Sequence, residues 1–338
     1  MMFLVSLPKV NMRGLALGCL LASFGIEASP WSSANDVLAR TVSLNPTQLA
    51  PGSPTLVQLG PNQFLEGRED DSTGQRRFLG IPFALPPVDE LRWKAPAPPD
   101  ESWEGTADAS RFGNSCVQSS SGFTIGGDVS EDCLYLNVYT PPKETSVNLP
   151  VLVFFYGGSW TGGSSSCPLY YGKNLVALGG EDAILVTMNY RLNVFGFMGG
   201  EALRDFDRGA GGTTGNWGLL DQRESLRWVQ KHAASFGGDP AKVTIFGESA
   251  GAGSVAAHLV SQNSFGAVSP DTGNPLFTKA MMESGNPFTP WNSHDRQGTW
   301  AALLRAVRCP WTARAWPASG TRPPTSSLGP GAGSAVRS

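Results

Sequence analysis

The sequence has few histidines and a net charge close to zero, and both features limit its possible functions. Only three of its 338 residues are histidines, namely His232, His258 and His294. The formal net charge is −3. Binding to nucleic-acid phosphates requires clustered Lys and Arg side chains, and nothing in this balance indicates such a surface. We therefore expect no nucleic-acid partner.

Cysteines are few, and their spacing does not suit a metal. No close pair of cysteines is accompanied by histidines, which excludes the common zinc patterns. We expect neither a metal nor a cofactor. The sequence also contains no Asn-X-Ser/Thr site in which X is a residue other than proline, so nothing supports N-glycosylation. The cysteines are Cys19, Cys116, Cys133, Cys167 and Cys309.

Long apolar runs are absent beyond the first residues, so we expect no stable membrane anchor. The N terminus itself carries Lys9 and Arg13, then an apolar run over residues 15–24 and a cleavage site before Ser29. This order predicts a secretory signal peptide over residues 1–28, and hence a secreted, extracellular protein. The alternative is a buried N-terminal helix. In an oxidising compartment, some of the later cysteines should be bridged.

Continuous apolar runs rich in β-branched residues predict an α/β fold. Runs of this kind are typical of strands that are buried on both faces. Long connections between them indicate right-handed crossovers in a largely parallel sheet. Apolar residues at helical spacing predict a helix over residues 218–236, ended by the Gly-Gly-Asp-Pro segment that follows. The predicted strands cover residues 78–84, 150–156, 183–188, 242–246 and 277–283.

Both ends of the chain differ from this pattern. Residues 29–60 are rich in Ser, Pro, Ala and Thr and predict a loose lead-in. Residues 310–338 consist mainly of Pro, Gly, Ser, Ala and Thr, with no acidic residue. They lack the apolar periodicity of a packed segment, so we expect a disordered tail. The domain is therefore predicted to end near residue 309.

Residues 247–251 read Gly-Glu-Ser-Ala-Gly and predict a nucleophilic serine. A buried strand precedes them, and a helix of small residues from Ala250 to about Val260 follows, as the Gly-X-Ser-X-Gly motif requires. The tight turn lifts the hydroxyl of Ser249 onto a helix N terminus, where free amides and the dipole favour an anion. A small-residue turn with an unreactive serine is the alternative.

A second turn predicts the donors that acyl transfer needs for its oxyanion. Residues 157–160 read Gly-Gly-Ser-Trp and directly follow a predicted strand. Such a turn can face Ser249 and offer backbone N–H groups to it. A plain glycine-rich turn without this role is the alternative.

Several long motifs resemble the type-B carboxylesterase/lipase family, which includes the cholinesterases and secreted fungal lipases. The resemblance covers about residues 55–309 and implies an α/β-hydrolase fold. It also implies a serine carboxylesterase or lipase that cleaves a small-molecule or lipid ester through an acyl-serine intermediate. The motifs occur in family order at residues 78–99, 130–137, 189–197, 228–240 and 247–254.

The resemblance assigns roles to individual positions. Ser249 matches the family nucleophile, and the oxyanion amides fall on Gly158, Ser159 and Ala250. Ser159 stands where the family has a third glycine, which is compatible with a site built from backbone N–H groups. Trp291 lies near the position of an acyl-pocket aromatic residue.

Other matched positions are structural. Asp221 lies upstream of Ser249, whereas the triad order in this fold is nucleophile, acid, histidine, so its implied role is to pair an arginine. Residues 121–128 hold no counterpart of the choline-binding tryptophan, so we expect no cholinesterase. The implied disulfide and the two implied ion pairs are Cys116–Cys133, Arg92–Glu131 and Arg191–Asp221.

The triad acid and histidine have no counterpart in the sequence. In the family both lie much further beyond the serine than the residues that follow Ser249 here. Cys309 matches one half of a family disulfide whose partner is missing. We therefore expect a truncated or misread chain with doubtful activity, in which His294, beside Asp295, is the one arguable substitute base.

Two other functions compete with an ester hydrolase. One is a non-catalytic, cholinesterase-like binding or adhesion protein that keeps the fold. The other is an unstable fragment with an exposed sheet edge. The intact Ser249 and the intact oxyanion turn favour the enzyme, because a binding module needs neither.

Overall fold

The computed structural model describes residues 52–118, 127–142, 147–172, 183–199, 215–261 and 267–285, and every structural statement below concerns those residues. Several predictions lie outside them. These concern the signal peptide at residues 1–28, most of the lead-in, Trp291, His294, Asp295, Cys309 and the tail at residues 310–338.

Eleven strands are present in the described part of the chain. Nine form one mixed sheet with the order β1-β2-β3-β7-β9-β8-β10-β11, in which β4 also pairs with β2, while β5 and β6 form a separate pair. Their bounds are β1 Ser53–Gly60, β2 Gln63–Glu69, β3 Arg76–Pro82, β4 Gly105–Asp108, β5 Ser115–Cys116, β6 Val129–Ser130, β7 Tyr135–Thr140, β8 Leu149–Phe155, β9 Ile184–Met188, β10 Gly238–Glu248 and β11 Lys279–Glu283.

Three α-helices are present among the same residues: α1 Asn193–Phe197, α2 Trp217–His232 and α3 Ala250–Val260. Short 3₁₀ turns cover Asp89–Leu91, Pro168–Tyr170 and Ala233–Phe236. The predicted helix over residues 218–236 is confirmed as α2 and its 3₁₀ extension. Gly237 ends it with a φ of 90°, a left-handed conformation that glycine adopts without strain.

The five predicted strands are confirmed as β3, β8, β9, β10 and β11, and the last four form the parallel half of the sheet. All five residues of β9 are buried, as expected for a strand covered on both faces. β9 pairs in parallel with β8, β8 with β10, and β10 with β11. The α/β class is therefore confirmed.

The N-terminal half of the sheet is antiparallel apart from β4, which pairs in parallel with β2, whereas the sequence predicted a largely parallel sheet. β1, β2, β3, β7 and β9 pair antiparallel in succession. The prediction of a loose lead-in was wrong for Ser53–Gly60, which form β1. Val57 is the only buried residue of β1, so backbone pairing with β2 holds the strand in place rather than an apolar face.

The implied ion pairs are present in the structure. Arg191 and Asp221 are almost fully buried, and Asp221 accepts hydrogen bonds from Nε and Nη2 of Arg191 at 2.8 and 2.7 Å. Arg92 donates to both carboxylate oxygens of Glu131, with Nη2 at 2.7 Å from Oε1. This second pair is more exposed, at 25% and 18% of the side-chain areas.

Cys116 and Cys133 form a disulfide, with their Cα atoms 4.9 Å apart. Cys167 is buried and is the free cysteine among the described residues, and burial raises the pKa of its thiol to about 11. Within this part of the chain, no helix has both the length and the apolar character needed to cross a bilayer.

Candidate active site

The candidate site lies where the four parallel strands end. The carboxyl ends of β8, β9, β10 and β11 meet at one edge of the sheet, which is where open α/β sheets bind ligands. The Gly-Gly-Ser-Trp turn follows β8, and Ser249 directly follows β10. Two segments that are far apart in the sequence therefore meet at this edge.

Ser249 occupies a strained turn between β10 and α3. Its φ of 55° and ψ of −116° are unusual for a residue that carries a Cβ atom. Hydrogen bonds hold the residue on both sides: its N–H donates to the carbonyl of Glu283 at 2.9 Å, and its carbonyl accepts from Gly253 at 3.1 Å. The side chain of Ser249 is exposed. The turn thus presents the hydroxyl above the sheet edge.

The second glycine of the motif allows α3 to begin directly against β8. A Cβ atom on Gly251 would lie 1.9 Å from the carbonyl oxygen of Phe155 and 3.0 Å from that of Tyr156. Both obstacles are backbone atoms, which cannot rotate away. Glycine at this position is therefore a steric requirement of the turn.

Replacing Gly251 by alanine is expected to lower the free energy of unfolding by about 1–3 kcal/mol, the usual cost of forcing extra volume into a packed core. Chemical denaturation followed by circular dichroism measures this change. Ala257→Ser, which adds one atom on the same helix away from β8, serves as the matched control. A Gly251→Ala variant as stable as this control would contradict the steric account.

The turn after β8 has an unusual backbone. Gly158, Ser159 and Trp160 all have positive φ, at 109°, 58° and 56°. The carbonyl of Gly158 closes the turn by accepting from Thr161 at 3.0 Å and from Gly162 at 3.2 Å. Successive residues in turn conformations with positive φ can form a concave array of N–H groups that binds anions.

This turn lies against the nucleophile candidate. A Cβ atom on Gly157 would lie 3.1 Å from Cβ of Ser249. The N–H groups of Gly158, Ser159 and Ala250 donate to no acceptor among the described residues. Ala250 opens α3, whose first amides have no partner within the helix. Unused donors therefore occur on both segments that adjoin the exposed serine.

Comparison with known proteins identifies the family. Residues 58–319 match the model of the carboxylesterase family. The chain belongs to this family. It is 42% identical over 247 residues to an acetylcholinesterase of Gallus gallus, covering 69% of this chain and 30% of that protein. It is 40% identical over 248 residues to a fumonisin B1 esterase of Sphingopyxis macrogoltabida, covering 71% and 44%.

A solved thermophilic PNB esterase is 38% identical, with a TM-score of 0.64, over 78% of this chain and 50% of that one. The carboxylesterase resemblance and the α/β-hydrolase fold that it implied are thereby confirmed. The chain spans half of that solved structure and less than half of these two curated relatives.

Two carboxyl groups adjoin this site, and neither was predicted to have a role. Glu248 and Glu283 are register partners on β10 and β11. Burial and the charge of Glu283 raise the pKa of Glu248, and burial raises the pKa of Glu283. A Cβ atom on Gly157 would lie 2.7 Å from Oε2 of Glu248, so this carboxyl group contacts the Gly-Gly-Ser-Trp turn after β8. The sequence could have pointed to Glu248, because it directly precedes Ser249 in the Gly-X-Ser-X-Gly motif.

Neither described histidine contacts Ser249. His258 lies further along α3, with Nε2 at 3.0 Å from Oε1 of Gln222, and burial lowers its pKa to about 3. His232 lies at the end of α2, with Nε2 at 3.1 Å from Oε1 of Glu101. It borders a cavity of about 180 Å³ on a different part of the sheet. Both imidazoles are engaged elsewhere.

The structure therefore brings together four of the predicted site residues: Ser249, Gly158, Ser159 and Ala250. The disulfide and the ion pair between Arg92 and Glu131 lie together near Arg191. The acyl-pocket candidate, Trp291, and the substitute base candidate, His294, lie outside the described residues.

Proposed function

We propose that Ser249 is the nucleophile of a carboxylic-ester hydrolase that works through an acyl-serine intermediate. One observation carries this proposal: an exposed serine directly before α3 adjoins the turn after β8, and three N–H groups on these two segments have no acceptor among the described residues. The similarity to an acetylcholinesterase and to a fumonisin B1 esterase supports ester cleavage.

In the proposed mechanism, Oγ of Ser249 attacks the carbonyl carbon of the ester and loses its proton to a general base. The carbonyl oxygen becomes an oxyanion that accepts hydrogen bonds from Gly158, Ser159 and Ala250. The C–O bond then breaks, the alcohol leaves with a proton, and the acyl group stays on Ser249. Water cleaves this acyl-serine and releases the carboxylic acid. This mechanism requires a general base, and no histidine among the described residues lies at Ser249, because His258 and His232 bond to Gln222 and Glu101.

The substrate class that we propose is a small-molecule or lipid ester, acted on outside the cell. Two features support a secreted protein: the signal-peptide pattern of residues 1–28 and the disulfide between Cys116 and Cys133.

The proposal is tested by prolonged labelling of the purified chain with a fluorophosphonate, followed by peptide mass analysis. The probe carries a strong leaving group, so even a slowly reacting serine becomes labelled if its oxyanion donors are in place. We expect one adduct, on the peptide that contains Ser249, and none in the Ser249→Ala variant.

Ser261→Ala is the matched control, since this serine lies at the opposite end of α3 and is expected to label like the wild type. Heat-denatured protein is expected to remain unlabelled. Labelling that survives Ser249→Ala, or that is equal in denatured protein, would refute the assignment. Absence of any adduct in folded protein would favour the non-catalytic binding protein.

A further inference from the structure

Trp160 and Ser254 join the oxyanion turn to the nucleophile helix through a partly buried hydrogen bond. The indole Nε1–H of Trp160 donates to Oγ of Ser254 at 3.0 Å, across 94 residues of sequence. The same oxygen accepts from Nε2 of Gln222, on α2, at 3.1 Å. Oγ of Ser254 also lies 3.2 Å from the carbonyl of Ala250, to which it donates. One hydroxyl therefore connects three segments.

The hydroxyl of Ser254 has no remaining hydrogen-bonding capacity in this arrangement. It has one proton and two lone pairs, and the three contacts use all of them. The side chain is fully buried, so water cannot replace a lost partner. Removing the hydroxyl would leave the donors of Trp160 and Gln222 without an acceptor, which is the costly way to lose a hydrogen bond.

Gln222 is held in a fixed orientation by His258. Its Oε1 lies 3.0 Å from Nε2 of His258, which directs its amino group towards Ser254. His258 donates in this arrangement, so its Nε2 carries the proton. Burial keeps the ring neutral by lowering its pKa.

The oxyanion turn needs such support because of its backbone. Ser159 and Trp160 both have positive φ, which is unfavourable for residues with a Cβ atom. The carbonyl of Trp160 accepts from the N–H of Asn193 at 2.8 Å, and its ring lies 6.2 Å from that of Phe197. The bond to Ser254 is the contact that ties this residue to the nucleophile helix.

We propose that Ser254 is a positioning residue that holds the oxyanion turn, through Trp160, in register with the helix that Ser249 begins. The same hydroxyl donates to the carbonyl of Ala250. Ser254 therefore contacts both the turn after β8 and the first residue of α3. The part of this proposal that concerns catalysis rests on the proposed function. The part that concerns the position of the turn is independent of it.

Two measurements on Ser254→Ala test the two parts separately. Hydrogen–deuterium exchange of residues 157–163 reports on the turn without any activity. We expect exchange at Thr161 and Gly162 to be about tenfold faster, a change typical of losing one buried hydrogen bond. The rate constant for fluorophosphonate labelling of Ser249 at saturating probe, followed by mass spectrometry, is expected to fall at least about tenfold, with unchanged half-saturation, because misplaced donors affect the reaction rather than the binding.

Ser225→Ala is the matched control. Ser225 is also fully buried, and its Oγ donates to the carbonyl of Gln222 at 2.7 Å without contacting the turn. We expect wild-type exchange in residues 157–163 in this variant. Trp160→Phe, which keeps a ring but removes the indole donor, covers the case in which Ser254→Ala does not fold, and should also accelerate exchange.

The outcomes are distinct. Unchanged exchange of the turn in the folded variants overturns the proposal, and so does faster exchange that Ser225→Ala reproduces. Faster exchange with an unchanged rate constant for labelling reduces Ser254 to a purely structural residue and also overturns the proposal. If the wild type does not label at all, the proposed function fails, and hydrogen exchange alone decides whether Ser254 holds the turn.

Discussion

The purified chain is expected to hydrolyse a short-chain p-nitrophenyl ester no faster than its Ser249→Ala variant, at a rate close to that of buffer. A serine hydroxyl is a weak nucleophile until a base takes its proton. His258 is bonded to Gln222 and His232 to Glu101, so the described residues place no imidazole at Ser249. Losing the catalytic histidine of a serine protease costs about 10⁶-fold in turnover.

Initial rates with both proteins, corrected for the blank, check this expectation. Robust turnover that disappears in Ser249→Ala would contradict it and would show that a base lies among the residues not described. His294→Ala would then test the candidate that the sequence offers. Turnover that is equal in both proteins and well above the blank would indicate a different nucleophile or a contaminating esterase.

Replacing Asp221 by alanine is expected to lower the free energy of unfolding by about 3–5 kcal/mol, enough to unfold many domains. The variant leaves the guanidinium of Arg191 buried without its counter-charge. It also removes the acceptor of the Arg191 backbone N–H, which lies 3.0 Å from Oδ2 of Asp221. Equilibrium denaturation in urea measures the change.

Glu131→Ala is the matched control, because it breaks the more exposed ion pair, that with Arg92. We expect a loss nearer to 1 kcal/mol, since solvent compensates the remaining charge. A second comparison replaces Arg191 by Met and Asp221 by Leu together, which should recover most of the stability lost in Asp221→Ala. An Asp221→Ala variant that loses less stability than Glu131→Ala would contradict this account.

The features that the sequence predicted are those encoded by adjacent residues. The turn at Ser249 depends on glycines at fixed spacing and on the buried strand before them, all within about ten residues. The strands β8, β9 and β10 are continuous apolar runs, which only a strand covered on both faces needs. The ion pair between Arg191 and Asp221 came from the family resemblance, since nothing local in either segment indicates the other.

The features that the sequence did not reveal depend on contacts between distant segments. The bond between Trp160 and Ser254 joins residues whose own surroundings show only a turn and a small-residue helix. The proximity of Glu248 and Glu283 follows from the register of β10 on β11, which neither segment specifies on its own. The sequence did not predict β1, because this strand buries one side chain, Val57, and depends on backbone pairing with β2.

The most direct test of the account is a crystal structure of the chain after fluorophosphonate labelling. The phosphonyl group on Ser249 carries an oxygen that takes the place of the oxyanion. We predict that this oxygen lies about 2.7–3.1 Å from the backbone nitrogens of Gly158, Ser159 and Ala250. An adduct on Ser249 whose phosphonyl oxygen faces solvent, with these three amides bonded elsewhere, would contradict the central claim that the two turns form one oxyanion site.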